Sequence, residues 1–268
     1  MIYQNFLSDI LFNSSEIASE KFGKVTGITK ANDNNQVLTE ADLVIGTMII
    51  AKIKKEFPDY NIIDEEAGVI DNGSEFTWVI DPIDGTSNFA SGVPTYGIMV
   101  GLLHHDVPIA GGVVVPFFKQ IVIAEKGKGA FSNGKRIFVT KETNLLTSLV
   151  AYHIDSHRDD PQKTIEECKL LAEIILQVRN IRSSSSVYDG ILVASGHYGA
   201  NLNRTSKIWD NVALHVVIEE AGGLYTDFYG KPMDYSKPVT KAKENFTFCC
   251  ASVDLHSQLQ KIIHQNKI

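Results

Sequence analysis

The sequence predicts a layered fold of the α+β or α/β class, in which helices cover mixed β-sheets. Two observations support this fold class. Helical and strand-like hydrophobic patterns follow one another along the whole chain of 268 residues, as is typical of layered domains. Residues 95–139 contain several strand-like runs joined by turn signals, which indicates an antiparallel meander. The length is sufficient for one large domain or for two closely packed halves.

The N-terminal half, residues 1–145, is predicted to be an α+β unit that opens with two helices. The first helix covers residues 2–22, where apolar side chains recur at helical spacing. Thr39 is suited to cap the second helix, with Asp42 completing a capping box, and Pro58 ends that helix. We expect its apolar stripe to contain Leu43, Ile50, Ile53 and Phe57. The strand-like runs that follow cover 60–63, 76–80, 95–103, 109–115 and 120–124.

The C-terminal half, residues 146–268, is predicted to be an α/β unit that joins the first half in one compact domain. The polar residues 140–165 mark the seam between the halves. Gly222 and Gly223 end one helix in the manner of a left-handed cap. The predicted helices cover 164–178, 187–196, 210–221 and the C-terminus, and the predicted strands cover 224–227 and 246–251.

The composition narrows the classes of function. A hydrophobic fraction of 44% and a charged fraction of 21% are ordinary for a soluble globular protein. The net charge of −7 argues against a nucleic-acid partner and against an anionic membrane surface. No window approaches the roughly 18 apolar residues that a bilayer span requires, and we find no secretory signal. The 3 cysteines form no disulfide or metal-ligand pattern, which favours a cytoplasmic protein with reduced thiols.

The most informative segment is WVIDPIDGTSNF, residues 78–89. It places Asp81 and Asp84 at the end of a predicted strand, and Gly85 and Thr86 at a sharp turn into a helix. Carboxylates bind divalent cations, and the N–H groups of a helix start can receive a phosphate. The segment therefore predicts metal-assisted phosphate chemistry, with a plain turn as the alternative.

Two further segments place carboxylates at the ends of predicted elements. Glu65 and Glu66 follow a strand, and Asp210 begins a helix. Oxygen ligands of this kind suit Mg²⁺, and no cluster of Cys or His accompanies them to favour zinc. A two-metal site bridged by Asp81 is one interpretation, and such a site activates a bound water. The alternatives are a helix cap for Asp210 and a solvated loop for the glutamates.

Taken together, these motifs resemble those of one family. Residues 81–89 and 209–223 are similar to the two signature motifs of the inositol monophosphatase family. Residues 64–66 and the pair Thr39 and Asp42 resemble its upstream elements, in the right order. The likeness covers nearly the whole chain. It implies the αβαβα layered sandwich of the sugar-phosphatase (inositol monophosphatase-like) fold, inhibition by Li⁺ and a homodimer.

The resemblance also implies a ligand set for two or three Mg²⁺ ions. For the first ion the matching ligands are Glu65, Asp81 and the carbonyl oxygen of Ile83. For the second ion they are Asp81, Asp84 and Asp210. A weaker third ion, with its waters, would be positioned by Glu65 and Glu66.

Catalytic roles follow from the same resemblance. Thr86, hydrogen-bonded to Asp42, would help to orient and deprotonate the attacking water, and Glu65 would share in this role. The N–H groups of Gly85 and Thr86 would receive the phosphate, and no phosphoenzyme would form. The positions that match the family's substrate contacts are Asp84, Gly85, Thr86, Ser185, Asn203 and Asp210.

Departures from the family pattern bear on the substrate. The family's Arg-Ser-x-Gly segment is RSSSS here, residues 182–186, without the glycine. Asn203, with Arg204 beside it, stands where members that act on inositol phosphate often have an acidic residue. A second phosphate on Arg204 and a solvated arginine are both open interpretations. Asn88 favours inositol phosphate over nucleotide bisphosphates as the substrate.

The sequence thus predicts Mg²⁺-dependent hydrolysis of a small polyol or sugar phosphate, most of all inositol monophosphate. The alternative substrates are histidinol phosphate, fructose 1,6-bisphosphate and a 3′(2′),5′-bisphosphate nucleotide. An alternative of another class is a regulatory protein that keeps the fold and binds a partner without catalysis.

Overall fold

The computed structural model describes residues 2–29 and 37–266. Its helices are α1 (Gln4–Lys21), α2 (Glu40–Glu56), α3 (Thr86–Ala90), α4 (Pro161–Ile175), α5 (Val187–Ala194), α6 (Ile208–Glu220), α7 (Pro238–Lys241) and α8 (Val253–Gln265). The strands in the first half of the chain are β1 (Ile28–Thr29), β2 (Val37–Leu38), β3 (Asn61–Asp64), β4 (Gly68–Ile70), β5 (Phe76–Asp84), β6 (Gly97–His104), β7 (Val107–Val115), β8 (Gln120–Glu125), β9 (Gly129–Ser132) and β10 (Lys135–Arg136). Those in the second half are β11 (Leu149–His153), β12 (Asn180–Ile181), β13 (Ala200–Ser206), β14 (Leu224–Thr226) and β15 (Phe246–Ala251).

An eight-stranded sheet has the order β10-β9-β8-β7-β6-β5-β3-β4. The strands β6 to β9 form the antiparallel meander that the turn signals predict. Only β3 and β5 pair in parallel among the described strands of this sheet. Because the carboxyl ends of parallel strands meet at one edge, the residues after β3 and at the end of β5 lie side by side.

The second helix confirms its predicted cap and most, but not all, of its predicted apolar face. Thr39 and Asp42 form the capping box at the start of α2. The side chains that α2 buries include Ile45, Ile49 and Ile53, whereas Leu43 is 49% exposed. Of the predicted stripe, Ile53 is buried and Ile50 and Phe57 pack against the core. Only Leu43 was placed wrongly, since the helix turns the face containing Ile45 towards the sheet.

A five-stranded sheet, in the order β12-β11-β13-β15-β14, underlies the second half of the chain. Two of its inner strands, β11 and β13, pair in parallel and are absent from the predicted elements. The strand β11 lies inside the polar segment 140–165 and is largely buried. That segment is therefore not simply a seam, and the division of the chain at residue 145 stays a prediction.

Helix α6 packs against the eight-stranded sheet at a pair of glycines. Gly101 of β6 and Gly111 of β7 lie directly opposite each other. A Cβ at Gly101 would lie 2.7 Å from the backbone nitrogen of Ala213, and one at Gly111 would lie 2.7 Å from the Ala213 carbonyl oxygen. The absence of side chains here lets the helix backbone approach the sheet closely. This approach fixes the position of Asp210, one turn earlier on α6.

The mixed sheets and covering helices confirm the predicted layered α/β fold. Among residues 2–29 and 37–266, no helix has the length and apolarity required to cross a membrane.

Candidate active site

The end of β5 forms the floor of the site. Its pairing with β6 shifts register between Asp81 and Asp84, where Pro82 has no N–H to donate. Gly85 follows with a φ of 83°, in the left-handed region that favours glycine, and α3 begins at Thr86. The predicted turn into a helix is confirmed.

The structure brings three carboxylates from distant parts of the chain together. One oxygen each of Asp81, Asp84 and Asp210 lie within 4.8 Å of one another. Asp210 is in the first turn of α6, where its Oδ2 accepts a hydrogen bond of 2.6 Å from the backbone N–H of Lys207. Its capping role and its place in the carboxylate group therefore coexist.

Burial and mutual repulsion favour the protonated form of these acids. Burial is the main reason why the pKa values of Asp81 and Asp84 lie well above the ordinary range. The charge of Glu65 raises the pKa of Asp81 further, and that of Asp210 does the same for Asp84. Burial also raises the pKa of Asp210, to about 6. A cation would reverse this preference, because a nearby positive charge favours carboxylates.

The donor set fits a hard divalent cation such as Mg²⁺. Asp81 is 1% exposed, and its Oδ1 has no hydrogen-bond partner within the described part of the chain. Buried charged oxygens normally have a partner. A cation bound at Asp81 would provide the partner that Oδ1 lacks. Glu65 and Ile83 line the same cavity and supply further oxygen atoms. No His or Cys belongs to this three-carboxylate group among the described residues.

The neighbouring residues Glu65 and Glu66 lie in different environments. Glu65 follows β3, donates its backbone N–H to the Ile80 carbonyl at 3.2 Å, and lines the cavity. Glu66 is not among the residues that line the cavity, and its charge acts instead on Asp42. The structure therefore places Glu65, but not Glu66, beside the three carboxylates.

Thr86 lies between two acceptors. Its Oγ1 is 2.7 Å from the carbonyl oxygen of Ile83 and 3.4 Å from Oδ1 of Asp42. Oδ2 of Asp42 accepts hydrogen bonds from the backbone N–H and the hydroxyl of Thr39, at 2.8 and 2.6 Å. Asp42 is fully buried, and this burial raises its pKa to about 6. The shorter bond goes to Ile83, and the predicted contact with Asp42 is the longer one.

The cavity above this floor has a volume of about 460 Å³. Besides the acids and the residues of the turn, its wall contains polar side chains from the second sheet and from the segment before α5. These are His153, Asp155, Ser185, Ser186, Asn201, Asn203, Thr205, Ser206 and Lys207. The predicted contacts Ser185 and Asn203 are among them.

Several of these wall residues escaped the sequence analysis. Asn201 lies on β13, whose polar residues obscured that strand, and His153 ends β11, a short apolar run inside the segment 140–165 that was interpreted as a seam. The register pairs His153 with Asn203, and the alternation of side chains along β13 puts Asn201 on the same face. A strand with one polar face towards a cavity shows this two-residue alternation, which is the signal that could have found Asn201 on β13. For β11 the signal was the short apolar run before His153.

Arg204 does not line the cavity. Its side chain is 12% exposed, and its Nη2 donates to the hydroxyl of Tyr229 at 3.3 Å. Its guanidinium lies 5.7 Å from the centre of the Phe228 ring, and its Nε lies 3.9 Å from a carboxylate oxygen of the buried Glu167. Both interpretations of Arg204 are therefore wrong. It does not reach the cavity to bind a second phosphate there, and it is not a solvated arginine.

A family model described as the inositol monophosphatase family matches residues 3–265. The inositol-1-monophosphatase of Synechocystis is 34% identical over 232 residues, covering 85% of this chain and 79% of that protein. The fructose-1,6-bisphosphatase/inositol-1-monophosphatase of Aquifex aeolicus is 33% identical over 225 residues, covering 82% of this chain and 83% of that protein.

Solved structures agree with these relatives. The structure of an inositol monophosphatase (IMPase) of Thermotoga maritima matches with a TM-score of 0.86 and 27% identity, and the match covers 99% of this chain and 98% of that one. The match extends over both sheets and the helices that cover them. The chain therefore belongs to the inositol monophosphatase family, whose members are metal-dependent phosphatases, and it is a phosphomonoesterase.

Proposed function

We propose that this chain hydrolyses the phosphate monoester of a small polyol or sugar, inositol monophosphate above all, with Mg²⁺ as its cofactor. The observation that carries this proposal is the group of Asp81, Asp84 and Asp210 on the floor of the cavity, with one oxygen of each within 4.8 Å of the others. Carboxylates at that separation repel one another unless a cation lies among them. All are oxygen ligands, which Mg²⁺ prefers.

Mg²⁺ bound at these residues would lower the pKa of a water and withdraw charge from the phosphoryl group. We propose that two or three ions are held by Glu65, Asp81, Asp84, Asp210 and the carbonyl of Ile83, with Glu66 acting only from outside the cavity wall. The N–H groups of Gly85 and Thr86, at the start of α3, would bind the phosphate oxygens.

The position of Thr86 supports a proton-transfer role. If the Ile83 carbonyl oxygen is used as a ligand, it becomes a poorer acceptor for the Thr86 hydroxyl, which lies 2.7 Å away. The hydroxyl then has Oδ1 of Asp42, at 3.4 Å, as its remaining acceptor. Thr86 could thus accept a proton from a water on its cavity side while it donates its own to Asp42. Asp42 is an acceptor poised for this task, because burial raises its pKa to about 6.

The cavity wall favours a hydroxylated substrate with a single phosphate. Ser185, Asn203 and Thr205 line the cavity and are at least partly exposed. Hydroxyl and amide groups of this kind can both donate to and accept from a sugar hydroxyl. Lys207 is the single lysine or arginine of the described cavity wall. A second phosphate would therefore find little positive charge, which counts against the two bisphosphate substrates.

The test is a panel of phosphate esters assayed for phosphate release with Mg²⁺ and with EDTA. The panel contains inositol 1-phosphate, histidinol phosphate, fructose 1,6-bisphosphate and a 3′,5′-bisphosphate nucleotide. We expect the highest kcat/KM for inositol 1-phosphate or another polyol monophosphate, and no release in EDTA. Release without a metal would refute the proposed chemistry. A higher kcat/KM for a bisphosphate would refute the substrate class alone.

Three finer features remain predictions of the family likeness: a homodimer, a cytoplasmic location and inhibition by Li⁺. Mass measurement in solution tests the first. Assays in tens of millimolar Li⁺ test the last. The rival hypothesis of a non-catalytic regulator predicts that cells with Asp84→Asn behave normally while cells lacking the gene do not.

The carboxylate group also predicts how pH and metal affect stability. The pKa values of Asp210 and Asp42 are each raised to about 6 from an ordinary value of 3.8. A raised pKa stabilises the folded state below the ordinary value, and this stabilisation is lost as pH rises through the folded pKa. Without metal, the free energy of unfolding should therefore fall by about 2 to 3 kcal/mol between pH 5 and pH 7, since each of the two groups contributes about 1.3 kcal/mol.

Urea denaturation at pH 5, 6 and 7, with EDTA or with saturating Mg²⁺, measures this effect. Mg²⁺ should raise the free energy of unfolding most at pH 7, where the carboxylates are ionised. Metal-free protein that becomes more stable from pH 5 to pH 7 would contradict the expectation.

A further inference from the structure

The segment from Ser183 to Ser186, called the serine segment here, lies against the turn that ends β5. A Cβ at Gly85 would lie 2.8 Å from the Cβ of Ser186. Asn88 donates its side-chain N–H to the carbonyl of Ser184 at 2.8 Å. The next residue, Val187, donates its backbone N–H to Oδ2 of Asp84. The shape of the serine segment therefore determines the shape of one side of the cavity.

One residue of this segment has an unfavourable backbone. Ser185 has a φ of 53°, which is the left-handed region. A residue with a Cβ adopts this region at a cost, whereas glycine does so freely. Something outside the backbone must therefore hold Ser185 in place.

The buried carboxylate of Asp189 holds Ser185 in this conformation. Oδ2 of Asp189 accepts the backbone N–H groups of Ser184 and Ser185, at 2.6 and 3.2 Å. The same oxygen accepts a hydrogen bond from Nε2 of His153, at a distance of 2.8 Å. Asp189 is 1% exposed and His153 is 8% exposed, so water scarcely weakens these bonds. The imidazole thus ties β11, in the wall of the cavity, to the start of α5.

We infer that Asp189 and His153 are positioning residues, which hold the serine segment in a backbone shape that glycine would otherwise be needed to provide. The inference rests on the proposed function, because it takes the phosphate to bind between this segment and the turn at Gly85. Asp189 acts on the phosphate through the backbone of Ser184 and Ser185. His153 acts through Asp189 and fixes its carboxylate.

A double-mutant cycle on Asp189→Asn and Ser185→Gly tests this inference. The dissociation constant of inorganic phosphate with Mg²⁺, and the hydrogen exchange of the amides of Ser184 and Ser185, are measured for each variant. Asp189→Asn should raise the dissociation constant about tenfold and speed exchange at both amides, because a buried acceptor charge is lost. In the Ser185→Gly background the increase should be about threefold or less, since glycine keeps the same shape unaided. Equal effects of Asp189→Asn in both backgrounds would overturn the inference.

Asp227→Asn is the matched control. Oδ1 of Asp227 also accepts two backbone N–H groups of its own loop, from Tyr229 at 2.9 Å and from Lys231 at 2.7 Å, away from the cavity wall. It should leave the dissociation constant of phosphate unchanged, and an increase as large as that of Asp189→Asn would also overturn the inference.

His153 provides a second test that does not depend on the folding of Asp189→Asn. His153→Gln keeps an N–H donor, whereas His153→Leu removes it. His153→Leu should weaken phosphate binding about fivefold, and His153→Gln should restore most of the loss. Equal affinities of the two variants would overturn the role of His153. Because phosphate binding and amide exchange need no turnover, they test the inference even if the chain hydrolyses none of the esters.

Discussion

Asp81→Asn should lower kcat/KM for the phosphate ester by about a thousandfold or more, and it should at the same time stabilise the metal-free protein. Asp81 is the residue we propose as a ligand of two ions, so the substitution weakens both positions. A bound metal contributes several kcal/mol of charge stabilisation, and each 1.36 kcal/mol or so is tenfold in rate. The gain in stability follows from the removal of one of several buried charges that repel one another.

Initial rates and urea denaturation in EDTA check the two parts of this prediction. Asp59→Asn, at an exposed turn that does not line the cavity, is a matched control that should change neither quantity. An Asp81→Asn variant with rates within tenfold of the native protein would refute a bridging ligand role. One that is less stable than the native protein in EDTA would show that Asp81 serves the fold rather than a cation.

Gly111→Val should lower the free energy of unfolding by about 3 kcal/mol and reduce kcat/KM by about a hundredfold. Its Cβ would lie 2.7 Å from the carbonyl oxygen of Ala213 and 2.9 Å from the Ala213 Cα, and neither backbone atom can move without the helix. A displaced α6 would carry Asp210 with it. A ligand moved by about 1 Å is enough for a loss of this size.

Thermal or urea denaturation and steady-state kinetics of the folded variant measure the two effects. Gly73→Ala is the control: Gly73 has a φ of 66°, and a Cβ there would meet nothing within 4 Å. It should cost only about 1 kcal/mol through backbone strain and leave kcat/KM unchanged. If Gly111→Val matched Gly73→Ala in both measurements, the glycine pair would not be what fixes α6.

The acids of the site were predictable because their setting is local. Asp81, Asp84 and the turn at Gly85 lie in one segment whose order of strand, turn and helix the sequence displays. Asp210 is different, since its own surroundings do not distinguish a ligand from a helix cap. Its place beside Asp81 depends on the packing of α6. The residues alone made Asp210 one candidate ligand with a helix cap as the alternative, and the family likeness implied which ion it would hold.

The cavity wall was less predictable, for a physical reason. Asn201 lies on β13, whose cavity-facing side chains are polar, so hydrophobic patterns do not reveal that strand. His153 ends the short apolar strand β11, which is surrounded by polar residues on both sides. Asp189 sits in an apolar helix pattern, and its hydrogen bonds reach across to a loop and a strand. The wrong placement of Leu43 on the apolar face of α2 has a similar origin. A Cβ at Gly46 would lie 2.9 Å from an oxygen of Asp64, so a close backbone approach, rather than the bulk of Leu43, selects the buried face.

The two sheets contribute different residues to the site, and this bears on how the site evolves. Glu65, Asp81 and Asp84 belong to the eight-stranded sheet and its edge, whereas His153 and Asn203 belong to the five-stranded sheet. Under the proposed function, substitutions at Asn203 and its neighbours on β13 would alter which alcohol is accepted while the hydrolytic residues stay as they are. Substrate preference should drift more readily than chemistry in such an arrangement. Exchange of β13, residues 200–206, between related chains is the segment swap most suited to transfer that preference, because it leaves His153, the serine segment and Asp189 in place.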